Sequence, residues 1–367
     1  MAKKKSRSKK RRSTVVWIIV WVISGGGIGG FFNPDWPVVG PLVKNVYEKF
    51  EQNGLGLGVA TGPGGSMTSG QTQVPGQQVP GSGGIPAQPA STQRAPDKLL
   101  IASFNIQVFG TSKMAKSDVM SVIVQTIRQF DIVAIQEIRS KDDNILPNLI
   151  TMLNSNGSRY AYFIGERIGR TVSTEQYAYV YDTNRVEADP NSVGTFGDPA
   201  DLLHREPMVA RFRARTNSPN NAFTFWLVNT HTDPDEVPQE IAALADVFQI
   251  MRSARPDEDD VILLGDLNAS EFQMGKFTQI PGISWVVQGG VMTNTRQNKA
   301  YDNIVFHGPS TNEFTGRWGV FNLESAFGLS REDALRVSDH YPVWAEFKIW
   351  EGRPAGHFAD RTAAGLR

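Results

Sequence analysis

The fold is decided by one stretch of sequence, Val261-Ile262-Leu263-Leu264-Gly265-Asp266-Leu267-Asn268-Ala269-Ser270. Its four leading aliphatic residues are too few for a helix and follow an acidic turn, so they predict a strand that is buried on both faces. Gly265 is expected to let the backbone turn sharply, and Asp266 and Asn268 then project to the same side at the carboxyl end of the strand. Open α/β sheets bind ligands at that edge, so the pair predicts a site that holds a water or a metal-bound oxygen. A strand followed by an Asx turn is the structural alternative.

The charge of the chain is unevenly distributed. The 367 residues have a formal net charge of zero, but eight of the 37 basic residues lie in 3–12, which leaves 29 basic against 37 acidic residues, a net charge of −8, in the remainder. A body this acidic repels phosphate at long range, so binding of nucleic acid or polyphosphate would depend on local arginines and divalent cations. The chain has no cysteine, which excludes disulfides, zinc–thiolate sites and cysteine nucleophiles.

The N-terminal part of the chain predicts a membrane anchor and a tether. Residues 1–12 form a basic segment, and residues 13–33 form an uncharged stretch near the minimum length for crossing a bilayer. We expect an uncleaved transmembrane signal anchor with its basic segment in the cytoplasm, in preference to a cleaved signal peptide or a nuclear-targeting sequence. Residues 34–53 are expected to form a juxtamembrane segment, and the Gly-, Pro- and Gln-rich residues 54–97 a flexible linker. The folded domain would then lie outside the cytoplasm, tethered to the membrane or secreted if the anchor is cleaved.

Residues 98–349 are expected to form the folded domain, followed by a solvated tail at 350–367. Hydrophobic runs predict strands at 99–108, 131–136, 160–164, 176–181, 208–212, 223–229, 261–264, 304–306 and 341–347. Helical periodicity predicts one helix at 117–130 and another across 241–251. Because helices separate only some of the strands, the pattern favours two mixed sheets over one doubly wound sheet.

Polar residues end or interrupt these strands repeatedly. They are Asn105, Glu137, Glu175, Arg205, His231, Asp302, Asp339 and His340. Each alone has an ordinary explanation, such as a turn, a solvated salt bridge or a hydrogen-bonded surface histidine. Their order along the chain is what makes the set informative.

In that order, the residues resemble the endonuclease/exonuclease/phosphatase superfamily, and within it the deoxyribonuclease I branch most closely. The likeness spans about 99–348. Its motifs are Ser103-Phe104-Asn105-Ile106-Gln107, Gln136-Glu137-Ile138-Arg139, Glu175-Gln176-Tyr177, Arg205-Glu206-Pro207, Gly265-Asp266-Leu267-Asn268-Ala269, Ala300-Tyr301-Asp302-Asn303-Ile304-Val305 and Ser338-Asp339-His340-Tyr341-Pro342-Val343. The resemblance implies a four-layer α/β sandwich, in which two packed mixed β-sheets are flanked by helices.

The resemblance also implies an activity and a set of catalytic residues. Family members hydrolyse phosphodiesters by in-line attack of water, leaving a 5′-phosphate and a 3′-hydroxyl, so DNA is the expected substrate. His231 would be held by Glu175 and His340 by Asp302, and the two pairs would supply an acid and a base. His231 is favoured as the acid and His340 as the base, although the sequence leaves the reverse assignment open.

The remaining site residues are expected to hold a cation and phosphate oxygens. Asn105, Glu137 and Asp339 match the family metal site, whose oxygen ligands suit Mg²⁺ or Mn²⁺, with Ca²⁺ as a further candidate. Asp266 and Asn268 would flank the scissile phosphate. The resemblance implies that Arg139 and Arg205 contact phosphate oxygens. No obligate protein partner is inferred.

Two departures from the family pattern bear on function. Ser173 stands where the family enzyme has a tyrosine that stacks in the DNA minor groove, which puts efficient cleavage of duplex DNA in doubt. Glu271 and Lys299 stand where a family disulfide would be, and we expect them to form an ion pair in its place.

Two alternative functions stay open at this point. A phosphoesterase of the same fold that acts on lipid or inositol phosphates, or on abasic-site DNA, would keep most of the same residues. A catalytically silent surface binding module would have lost some of them, and none is missing here.

Overall fold

The structure is a computed structural model that describes residues 94–170, 173–254 and 257–352. Twelve strands are assigned in this part of the chain: β1 Lys98–Phe109, β2 Ile132–Ile138, β3 Tyr160–Ile164, β4 Gln176–Asp182, β5 Val186–Thr195, β6 Met208–Ala214, β7 Thr224–His231, β8 Val261–Asp266, β9 Ile283–Trp285, β10 Asp302–His307, β11 Phe314–Val320 and β12 Val343–Lys348. Six α-helices accompany them: α1 Thr111–Met114, α2 Ser117–Ile127, α3 Ile145–Asn154, α4 Val237–Ala254, α5 Leu323–Phe327 and α6 Arg331–Val337.

The strands form two six-stranded mixed sheets. The first sheet has the order β11-β12-β1-β2-β4-β3 and the second β5-β6-β7-β8-β10-β9. Each contains one parallel pair, β1 with β2 and β7 with β8, and its other neighbours are antiparallel. Helices α1 and α2 connect the first parallel pair and α4 connects the second, as a parallel crossover requires. The carboxyl ends of the four parallel strands therefore point to the edge of each sheet where the predicted site residues lie.

Three buried apolar layers hold the sheets and helices together. Side chains of the two sheets meet in a central layer that includes Ile101, Phe225 and Phe347. One outer layer packs helices such as α2 and α3 against the first sheet, and the other packs α4 against the second. The predicted four-layer sandwich is therefore confirmed.

The strand of the deciding stretch is buried on both faces, as its aliphatic run predicts. All six residues of β8 are buried. Alternate side chains face opposite sides of a strand, so Val261 and Leu263 contribute to the outer layer with α4, and Ile262 and Leu264 to the layer between the sheets.

The strands that the sequence did not predict lie at the edges of the sheets. They are β5, β9 and β11. Edge strands bury less apolar surface, and β5 carries Pro190 while β11 carries two glycines. Helices α1, α3, α5 and α6 were also not predicted, and α2 ends at Ile127, three residues before its predicted end.

The first described residues already contact the domain. Arg94 forms ion pairs of 2.9 Å with both Asp131 and Asp182, although the sequence assigns it to the linker. Within the described residues, no helix combines the length and apolar character needed to span a bilayer. The predicted basic segment, anchor and juxtamembrane segment, and the linker up to 93, lie outside the described residues, as does the tail from 353.

Candidate active site

The end of β8 is shaped by its close approach to β7. Gly265 lies within the strand at φ +156°, and a Cβ there would lie 1.8 Å from the carbonyl oxygen of Thr230. The glycine is therefore required by strand packing, which corrects the sharp turn expected from the sequence. The chain turns at Asn268, which has φ 46°, and its backbone amide donates to Asp266 Oδ1 at 3.0 Å. The stretch therefore forms the Asx turn of the structural alternative, and the turn leaves Asp266 Oδ2 for the contacts of the candidate site.

Two histidines each share a hydrogen bond with a carboxylate from the opposite sheet. His231 ends β7 of the second sheet, and its Nδ1 lies 2.8 Å from Oε1 of Glu175, which precedes β4 of the first sheet. His340 precedes β12 of the first sheet, and its Nδ1 lies 2.9 Å from Oδ2 of Asp302, the first residue of β10 in the second sheet. All four side chains are buried. Each carboxylate orients its ring through Nδ1 and leaves Nε2 free to act on a substrate.

Asp266 brings the two histidines to one point. Its Oδ2 lies 3.5 Å from Nε2 of His231 and 3.4 Å from Nε2 of His340. The same oxygen accepts a hydrogen bond of 3.0 Å from the side-chain amide of Asn105. Two imidazoles that face one position can donate a proton to one oxygen atom and accept a proton from another.

The carboxylates set the protonation of both rings. Burial disfavours the imidazolium form, but Glu175 and Asp266 outweigh it and raise the pKa of His231. Burial is likewise outweighed at His340, where Asp302 and Asp266 raise the pKa to about 10. Burial would favour a protonated Asp266, yet the two imidazolium charges prevail and lower the pKa of its carboxyl group. The carboxylates therefore favour the imidazolium form of both rings, and the rings favour the carboxylate form of Asp266.

Asn105, Glu137 and Asp339 place oxygen atoms beside this centre. Asn105 Nδ2 donates to Glu137 Oε1 at 3.2 Å, and the backbone amide of Val108 donates to Glu137 Oε2 at 2.9 Å. Within the described part of the chain, the buried Oδ1 atoms of Asn105 and Asp339 have no hydrogen-bond partner. Buried oxygen atoms without a donor, in a set that contains no sulfur, fit a hard divalent cation such as Mg²⁺ or Mn²⁺.

A second grouping at the same centre is explained without a cation. Ligand atoms of Asp266, Asp302 and His340 lie within 4.8 Å of one another. Both ring nitrogens of His340 already face carboxylate oxygens, at 2.9 and 3.4 Å. The histidine–carboxylate pair therefore accounts for this cluster.

Two residues next to the oxygen donors hold a strained backbone conformation. Val108 has φ 49° and Glu137 has φ 62°, in the left-handed region that costs a residue other than glycine about 1–3 kcal/mol. Both lie where the β1–β2 register shifts between Asn105 and Phe109. The irregularity brings the Val108 amide onto the Glu137 carboxylate, so the strained backbone directs a proposed metal ligand.

The two arginines of the predicted set have different surroundings. Arg139 lies at the rim with its side chain 29% exposed, 3.1 Å from Glu137 Oε2 and 3.6 Å from Glu175 Oε2. Arg205 is only 3% exposed. Its Nε and Nη2 donate to the carbonyl oxygens of His231 and Thr232 at 3.1 and 3.0 Å. This burial does not support the phosphate contact expected for Arg205, because its guanidinium group already donates hydrogen bonds to the backbone at His231 and Thr232.

Two residues that sequence reasoning missed also belong to the site. The Gln107 side chain donates to Asp339 Oδ2 at 2.9 Å. The buried Lys113 donates to the carbonyl oxygens of Gln107 and Val337, and its burial lowers its pKa to about 8. Gln107 follows Asn105 by two residues on a strand, so the period of two could have identified it. Lys113 has no comparable signal, because its contacts are made through the backbone of distant residues.

The two departures from the family pattern have defined surroundings. Ser173 Oγ accepts a hydrogen bond of 3.3 Å from Arg139 Nη1, so it lies at the rim of the site. Glu271 Oε1 accepts a hydrogen bond of 2.8 Å from the backbone amide of Gly290. Among the described residues Glu271 and Lys299 form no ion pair, so that prediction is wrong, and the contact with Gly290 tethers the loop instead.

Relatives of the chain are named as deoxyribonucleases. The chain is 35% identical over 272 residues to deoxyribonuclease gamma of Rattus norvegicus, an alignment that covers 70% of this chain and 86% of the relative. It is 32% identical over 261 residues to deoxyribonuclease-1-like 1 of Homo sapiens, which covers 68% and 84%. Among solved structures, a humanized D. rerio TDP2 aligns with 19% identity and a TM-score of 0.49, over 69% of this chain and 99% of that one.

The model of the Endonuclease/Exonuclease/phosphatase family matches residues 102–340. The match begins in β1 and ends at His340, so it includes the strand-end residues that meet around Asp266. Because it covers most of the folded domain and the relatives exceed 30% identity over two thirds of the chain, the chain belongs to the endonuclease/exonuclease/phosphatase family and is a phosphodiester-hydrolysing enzyme.

Proposed function

We propose that this protein is a divalent-metal-dependent endonuclease that hydrolyses DNA phosphodiester bonds to give 5′-phosphate and 3′-hydroxyl ends. The observation that carries the proposal is the pair of buried imidazoles whose Nε2 atoms lie 3.5 and 3.4 Å from one Asp266 oxygen. Hydrolysis of a phosphodiester needs a proton acceptor for water and a proton donor for the leaving oxygen, and this arrangement offers both. The deoxyribonuclease names of the relatives support DNA as the substrate.

The two histidines divide the proton transfers between them. His231 donates to the leaving oxygen, because Glu175 and Asp266 raise its pKa and so favour its protonated form. His340, held by Asp302, takes the proton of the attacking water in its neutral form, which positive charge from a bound cation would favour over the imidazolium form that the carboxylates stabilise. Asp266 and Asn268 position the water and the phosphate between the two rings. Arg139 contacts a phosphate oxygen at the partly exposed rim.

Asn105, Glu137 and Asp339 would hold the cation. When bound, a divalent cation would supply positive charge to the phosphorane-like transition state and favour the neutral form of the neighbouring His340 ring. The unpartnered oxygen atoms of Asn105 and Asp339 support this assignment. Glu137 supports it as well: burial opposes its charge, but His231 and the Val108 amide outweigh burial and lower the pKa of its carboxyl group.

The full chain tests the proposal with supercoiled plasmid in Mg²⁺ and in chelator. We expect nicking in Mg²⁺ that stops in chelator, and a loss of about 10²-fold or more in His231→Ala and in His340→Ala. Asp246 lies on α4 and forms an ion pair with Lys276. Asp246→Asn serves as the matched control and should keep full activity. Cleavage of a lipid phosphodiester without plasmid nicking would instead identify a phosphoesterase of the same fold.

We also propose that residues 13–33 anchor the protein in a membrane with the catalytic domain outside the cytoplasm. The uncharged stretch behind eight basic residues supports this orientation. The protein should then resist alkaline carbonate extraction from membranes, and protease added outside intact cells should remove the domain. Recovery of the full-length protein in the soluble fraction would rule the anchor out.

A further inference from the structure

A second group of acidic side chains lies at the opposite end of the sandwich from the active site. Asp260 immediately precedes β8, whose other end carries Asp266, so the two carboxylates are separated by the length of the strand, about 20 Å. Glu313 precedes β11 and Glu351 follows β12. Ligand oxygens of Asp260, Glu313 and Glu351 all lie within 4.8 Å of one another. The group therefore joins the second sheet, through Asp260, to the first.

The backbone of this region fixes the three carboxylates in place. The amide of Trp226 donates to the carbonyl of Asp260 at 2.8 Å, and the amide of Lys348 donates to the carbonyl of Glu313 at 2.8 Å. The amide of Glu351 donates to Asn221 at 2.9 Å, and one Glu351 carboxylate oxygen accepts from the Thr224 amide at 3.1 Å. The convergence is thus built into the ends of the strands and does not depend on mobile surface side chains.

Several buried oxygen atoms in this cluster have no hydrogen-bond partner. Asp260 is 2% exposed and Glu313 is 1% exposed, and in the part of the chain that the structure describes Asp260 Oδ1 and Glu313 Oε2 have no partner. The hydroxyl of Thr311, a residue 2% exposed, is close enough to Asp260 to lower the pKa of that carboxyl group. It nevertheless makes no well-formed hydrogen bond with any described group. Apart from this weak contact with the Thr311 hydroxyl, the two buried carboxylate oxygens have no donor, which is costly unless a proton, a cation or another group binds there.

In the described part of the chain no ion pair neutralises the three carboxylates, although Arg252 interacts electrostatically with Asp260. Arg211 pairs at 2.9 Å with Glu258, a fourth carboxylate beside the cluster. Within 94–170, 173–254 and 257–352, no lysine or arginine forms an ion pair with Asp260, Glu313 or Glu351. Burial and the neighbouring carboxylates raise the pKa of Asp260 to about 10 and that of Glu351 to about 8. The cluster therefore binds either protons or a cation.

We infer that Asp260, Glu313 and Glu351 form a Ca²⁺ site that is separate from the catalytic centre and clamps the two sheets together. Three carboxylates and a hydroxyl are hard oxygen donors, which favour Ca²⁺ or Mg²⁺ over softer metals. Ca²⁺ accepts carboxylates as monodentate or bidentate ligands in flexible geometry, whereas Mg²⁺ retains several waters. Side chains as buried as Asp260 and Glu313 leave little room for those waters, so Ca²⁺ is the better fit.

The site would stabilise the segment around Trp350 and Gly352. Trp350 bridges to Ala222, and the Gly352 amide donates to Glu313 Oε1. A cation shared by Glu351, Glu313 and Asp260 would hold this segment against β7 and β8. Binding to the folded state alone raises the unfolding temperature by mass action.

The test uses the full chain stripped with chelator, in a Glu137→Gln background so that the catalytic centre binds cations poorly. Thermal unfolding is followed in chelator and in Ca²⁺ at about 100 times the dissociation constant, which is measured by titration calorimetry with CaCl₂. We expect Ca²⁺ to raise the unfolding temperature by about 5 °C. Adding Glu313→Gln should abolish this increase while raising the unfolding temperature in chelator, because the substitution removes a buried charge from the cluster.

A cation site predicts that Glu313→Gln removes the Ca²⁺-dependent increase in unfolding temperature and raises the unfolding temperature in chelator. Carboxylates that only share protons would give the second effect without any Ca²⁺-dependent increase. If Glu137→Gln protein gives no Ca²⁺-dependent increase while Glu313→Gln still stabilises it, protons satisfy the cluster and the inference is wrong. An equal Ca²⁺ response with and without Glu313→Gln would place the binding elsewhere and also overturn it. Should Glu313→Gln fail to fold, Glu351→Gln, at the partly exposed member, replaces it. Plasmid nicking in Mg²⁺ is measured separately, on protein that carries Glu313→Gln but not Glu137→Gln. The unfolding test does not use activity, so failure of the proposed nuclease function would not affect it.

Discussion

The side-chain amide of Asn105 donates a 3.0 Å hydrogen bond to Asp266 Oδ2, and this bond crosses from the first sheet to the second. The two histidine–carboxylate pairs also cross between the sheets, Glu175 with His231 and Asp302 with His340. Neither sheet alone contains a complete pair. The site therefore depends on how the two sheets are stacked, and the effects of substitutions should reflect that dependence.

Glu175→Gln should shift the pH dependence of DNA cleavage. Glu175 helps to raise the pKa of His231 above 6.5, so a proton donor at this position is active below its raised pKa and loses activity as the pH rises through it. Removing the negative charge lowers that pKa, and the alkaline limb of the kcat/KM profile should move to lower pH. An alkaline limb in the same place in both proteins would show that His231 is not the proton donor.

Arg205→Lys tests whether this arginine positions the histidine or contacts phosphate. Lysine cannot reproduce the fork that donates to the carbonyl oxygens of His231 and Thr232. We expect kcat to fall about tenfold or more, with little change in KM for DNA or in its salt dependence. Arg139→Lys, at the exposed rim, should instead raise KM. A rise in KM for Arg205→Lys with unchanged kcat would restore the phosphate-contact role.

Glu137→Gln should weaken Mg²⁺ binding at the catalytic centre. The substitution keeps the shape of the side chain but removes the charge next to the unpartnered oxygen of Asn105. The Mg²⁺ concentration for half-maximal activity should rise at least about tenfold, as measured by plasmid nicking across a Mg²⁺ titration. Asp246→Asn should leave it unchanged. Equal Mg²⁺ titrations for wild type and Glu137→Gln would remove Glu137 from the metal site.

Gly265→Ala should destabilise the protein more than any ordinary surface change. The added Cβ would lie 1.8 Å from the Thr230 carbonyl oxygen, and the backbone of β7 or β8 would have to move. We expect a loss of about 3 kcal/mol or more in the free energy of unfolding, measured by urea denaturation. Gly289→Ala is the control, because a Cβ there meets nothing within 4 Å although φ is +70°, and it should cost about 1–2 kcal/mol. Similar losses for both would mean that β7 and β8 can separate freely.

Asn229→Ala tests the polar contact buried between the sheets. Asn229 Oδ1 accepts a 2.6 Å hydrogen bond from Gln136, and its amide donates to the carbonyls of Ile135 and Ala178 at 3.2 Å. Alanine leaves these buried groups without a partner, so the free energy of unfolding should fall by about 1–3 kcal/mol in urea denaturation. Thr151→Ala, at an exposed hydroxyl on α3, should change it by less than about 0.5 kcal/mol. No loss in Asn229→Ala would mean that water or a rearranged Gln136 satisfies these groups.

The sequence by itself determined the interior strands, the two-sheet class and the polar residues at the strand ends. Those features are local, because a buried strand such as β8 must be apolar along its length and a polar residue marks where burial stops. The edge strands β5 and β11 escaped prediction for the same reason, since they bury too little apolar surface to leave a pattern. The family resemblance already paired Glu175 with His231. Only the tertiary structure decided that this pair crosses between the two sheets, that Arg205 is buried beside that histidine, and that Asp260, Glu313 and Glu351 meet at the far end. Contacts between sheets depend on how the sheets stack, and no local periodicity encodes the distance between side chains on different sheets.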